Sequence, residues 1–89
     1  MDYQEFVQGA INSAKVQLRH FMYILKGLNE EIIFVKEKLD GDLSDTDRIE
    51  YQRALKQFEV ELKQVEHQIT FQNDIVNGYV STGTSTTSQ

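Results

Sequence analysis

The chain has 89 residues, with no Cys, no Pro and five Gly. A length below the usual domain size of roughly 100–150 residues limits it to one small domain, and the missing thiols exclude disulfides, thiolate zinc sites and cysteine nucleophiles. Nine Lys and Arg against fourteen Asp and Glu leave a net charge of −5, which makes the chain a poor binder of nucleic acid or of an anionic membrane.

The opening residues, Met1-Asp2-Tyr3-Gln4-Glu5, are acidic and lack the basic start of a signal peptide. The expected location is therefore the cytoplasm, or a particle assembled there. Two interleaved sevenfold series follow, Ile11, Leu18, Leu25, Ile32, Leu39 and Val7, Ala14, Phe21, Leu28, Val35. Alternating steps of four and three between apolar residues are the a/d seam of a coiled coil, and they predict a helix over 3–39. Its most apolar window, Phe21 to Val35, is interrupted by Lys26, Asn29, Glu30 and Glu31. It falls short of the ~18–20 apolar residues that a membrane span requires.

Residues 40–50 hold five of the acids and one base, so most of the net charge sits in one segment. Asp40-Gly41-Asp42-Leu43-Ser44-Asp45 is rich in turn formers and predicts a turn over 40–45. Lys36 and Lys38 suit the end of the helix before it, and Gly41 is expected to supply the left-handed residue that terminates that helix. Ser44 with Asp47 three residues on resembles a capping box at the start of the next one.

A second helix is predicted over 46–77, with Leu55, Leu62, Ile69, Val76 at a and Tyr51, Phe58, Val65, Gln72, Tyr79 at d. Asn77-Gly78 is expected to stop it. So short a connection makes the two helices antiparallel neighbours. In the closing register Val35 meets Leu55, Leu28 meets Leu62 and Ala14 meets Val76, while Gln72 either opposes Leu18 as a polar break or lies solvated at the edge of the seam. Residues 81–89, Ser/Thr-rich with neither charge nor apolar side chains, are expected to be a disordered tail beyond a hairpin over 1–80.

Chemistry-bearing patterns are sparse. Asp40, Asp42 and Ser44 match the first ligands of a calcium loop, but the position that needs Gly is Asp45 and the one that needs a bidentate Glu is Tyr51. His20 and His67 stand outside any metal-binding spacing and point away from the seam. Ser and Thr concentrate in the tail, where no base could be held in reach, and the glycines form no phosphate cradle. No catalytic residue, cofactor or metal site is expected.

What remains is apolar surface that the seam does not use. Val16, Tyr23 and Phe34 recur at steps of seven and eleven, with Met22 and Ile33 beside them. On the second arm Ile49, Val60 and Phe71 recur at steps of eleven, with Ile75 near Phe71. At about 25 cal/mol per Å2, leaving such rows in water forfeits several kcal/mol and favours association. The residues expected to carry it are Val16, Met22, Tyr23, Ile33, Phe34, Val60, Phe71 and Ile75. Gly27 lies among them and is expected to admit a close neighbour, to allow a bend, or to be neutral.

In length and expected shape the chain resembles the small secreted hairpins built around a Trp-x-Gly turn. It has no Trp, and Tyr79 is followed four residues on by Gly83 where that family has an acid, so no family is assigned. The reading is an all-α protein, an antiparallel two-helix coiled-coil hairpin that oligomerises into a helical bundle, most simply as a twofold dimer. The expected partner is a second copy, another protein, or both, with no nucleic acid, membrane or small-molecule substrate. The expected role is a non-catalytic structural or assembly subunit of a larger complex, a phage virion being one setting. The rival is an inhibitor, chaperone or adaptor whose second apolar face binds a different protein.

Overall fold

A computed structural model describes the backbone of residues 2–87 and the side chains of residues 2–79. Among the described residues there are two elements, α1 (Tyr3–Leu39) and α2 (Asp45–Thr87), and no strand. Each helix begins at a side-chain cap that satisfies main-chain NH groups left without an intrahelical partner. The NH of Glu5 donates to Asp2 Oδ1 at 2.8 Å, and the NH of Asp47 donates to Ser44 Oγ at 3.1 Å. Acids in the first turns, Glu5 in α1 and Asp45 and Asp47 in α2, complement the positive ends of the helix dipoles, as Lys36 and Lys38 complement the negative end of α1.

Contacts divide the chain into two compact units. Tyr23–Glu66 forms one of them and contains the elbow. Here α1 ends without a left-handed residue, because among the described residues no glycine has positive φ. This corrects the expectation for Gly41. The helix instead tightens as it stops, with the NH of Asp40 on the Lys36 carbonyl and the NH of Gly41 on the Lys38 carbonyl, both at 3.1 Å. Arg48, in the first turn of α2, then reaches back and donates through Nη1 to the Leu39 carbonyl at 2.9 Å and through Nη2 to the Gly41 carbonyl at 3.2 Å. A planar fork that satisfies two orphaned carbonyls replaces the glycine cap. Behind the elbow Leu28, Ile32 and Val35 are buried, and their expected partners Leu55, Phe58 and Leu62 are half-buried. Ile24, outside the a/d series, is half-buried as well.

The other unit joins the described parts of Met1–Met22 and His67–Gln89. Its centre is Ala14, only 1% exposed. Ile11, Leu18, Phe21, Ile69, Val76 and Tyr79 are half-buried, as is Gln72, a polar residue of the seam. In this unit α2 runs on through Asn77 and Gly78 to Thr87. The expected stop at 77 does not occur, and residues 81–87, expected to be disordered, are helical. Without Pro and without a left-handed Gly78 the helix has no chain terminator, and a glycine inside a helix costs only about 1 kcal/mol. Residues 88–89 lie outside the described part.

Candidate protein-interaction surface

Seven of the eight side chains expected to mediate association are exposed. Tyr23 is the most open at 79%, and Val16, Met22, Ile33, Phe34, Val60 and Phe71 are each more than half exposed. Their exposure follows from helical spacing, since side chains stepping by seven or eleven stay on one side of a helix while the seam occupies another. Phe34 has partial cover from its own helix, with Lys38 Nζ 5.4 Å from the ring centroid, a cation–π distance.

Ile75 is different. It is half-buried and lines a groove of about 720 Å3 within the unit that contains Ala14. One residue from the seam residue Val76, it flanks the contact between helices and does not continue the Phe71 row. Small side chains of α1, Ala10, Ser13 and Ala14, leave room for the groove, and Tyr3, Gln17 and Gln72 line it as well. Tyr3, Phe6 and Ile49, exposed at 65%, 54% and 55%, add apolar surface beyond the eight expected interaction residues. Tyr3 and Phe6 precede the first full heptad, which is why the period did not draw them in.

His20 and His67 are exposed, and the His20 ring lies tilted against that of its neighbour Phe21 at 5.6 Å between centroids. Among the described residues no three His, Cys, Asp or Glu side chains gather where they could hold a metal ion, and no helix is long and apolar enough to cross a membrane. At Gly27 a Cβ would meet nothing within 4 Å, so the glycine does not serve a close approach inside the chain. No family model matches this chain, and neither does any curated protein or solved structure.

Proposed function

We propose that the chain is a non-catalytic structural or assembly subunit that works by self-association through helical faces left over from its own seam. The observation that carries this reading is the imbalance of burial. Among the described residues only Ala14, Leu28, Ile32 and Val35 are buried, and ten large apolar side chains are more than half exposed.

Sedimentation equilibrium of the purified chain across micromolar concentrations tests this. A stable homo-oligomer is the expected result. A monomer at every concentration overturns the reading and leaves the rival, in which the second face is kept for a different protein.

A further inference from the structure

The outer face of α1 carries more than leftover apolar surface, for its pattern reads the same in both directions. At 100° per residue, Val16, Tyr23, Gly27 and Phe34 fall within about 20° of one line along the helix, and that line lies roughly opposite the seam. Their spacings are seven, four and seven, so the row is symmetric about its midpoint at residue 25. Two copies of α1 laid antiparallel about a twofold axis through that midpoint bring Val16 against Phe34 of the other copy. The same operation brings Tyr23 against Gly27 of the other copy. Tyr23 is the most exposed large apolar side chain among the described residues, and the space where a Cβ of residue 27 would stand is empty. A projecting ring thus faces a gap, twice.

The flanks fit as well. Under a twofold operation of this kind, residues on the same flank of the row face one another. Arg19 and Glu30 share one flank and, in this register, come opposite each other across the axis. His20 and Glu31 do the same on the other flank. All four are exposed, and both pairings bring a base to an acid. The outer row of α2 fails the same test. Ile49, Val60 and Phe71 are symmetric about Val60, but the operation places Lys56 against Lys63 of the other copy, like charge on like. We infer that self-association, the function proposed above, takes place through α1 against α1 of a second copy, antiparallel, centred between Tyr23 and Gly27 and held in register by Arg19 and Glu30.

Charge reversal supplies the test. Arg19 and Glu30 are eleven residues apart, too far to pair along one helix, so any coupling between them crosses an interface. Arg19→Glu and Glu30→Arg should each weaken the dimer about tenfold or more, and the double variant should recover most of the loss, with circular dichroism unchanged throughout. A second arm uses the absence of native cysteine. The Tyr23→Cys/Gly27→Cys variant should oxidise to a covalent dimer, while Tyr23→Cys with Lys15→Cys should not. If the wild type dimerises but the double reversal recovers nothing and the Tyr23→Cys/Gly27→Cys variant stays uncrosslinked, this register is wrong and self-association stands. If the wild type is monomeric, both fail together.

Discussion

Arg48 is the residue on which the elbow turns. A heptad count places it at an a position one step before Leu55, where a cation is out of keeping. The structure explains the exception, because its guanidinium caps the two carbonyls that α1 leaves open, those of Leu39 and Gly41. Ser44 was legible because its partner is three residues ahead in a known pattern. Arg48 was not, because its acceptors lie nine and seven residues behind it across a turn. Hydrogen bonds from a charged donor contribute about 1.5–3 kcal/mol, so Arg48→Ala should destabilise by roughly that amount. Arg48→Lys should restore little, since a single ammonium does not present a planar fork. Ser44→Ala should cost about 1 kcal/mol through loss of its cap. Urea unfolding at one fixed chain concentration measures all three, and an Arg48→Lys variant as stable as wild type would show that the two-carbonyl geometry contributes nothing.

At the scale of the helices, the a/d series proved the most readable part of the chain. Every described member of both series from Val7 to Tyr79 is buried or half-buried, Gln72 included. The period identifies a face whatever the chain does next, which is why it succeeded where the endings did not. The end of α2 depended instead on one dipeptide, and Asn77-Gly78 only permits a stop. With nothing to compel it, the helix continues to Thr87. The half-burial of Ile24, Glu61 and Ile75 was also hidden, because the seam is wider on one flank than a strict two-in-seven pattern implies. Glu61 at that flank keeps a polar partner, accepting from Gln57 Nε2 at 3.2 Å. The two faces of α1 make separable predictions. Phe21 is half-buried and Tyr23 is 79% exposed. Phe21→Asp should remove helicity by setting an unpaired charge in the seam, whereas Tyr23→Asp should keep helicity and lose association. Circular dichroism with sedimentation on both variants decides it, and equal loss of helicity would mean that folding and assembly are one event.

For the molecule as a whole, the heptad period foretold the class of fold, and the spacing of Val16, Tyr23 and Phe34 foretold that these three side chains stay in water. What a single sequence could not disclose was how thin the interior would be. Within each unit two helical segments pack on each other, so each layer offers two side chains where a globular core offers many, and only four described residues are buried. The elbow has a further consequence in time. The Arg48 hydrogen bonds join residues nine and seven apart, whereas Ala14 must find its place among residues beyond 67. Closing the short loop costs far less chain entropy than closing the long one, so refolding should start at the turn and travel outward like a zipper. In stopped-flow measurements Arg48→Ala should then slow refolding, while Ala14→Gly should chiefly hasten unfolding, and the opposite assignment would place the kinetic nucleus at the far end.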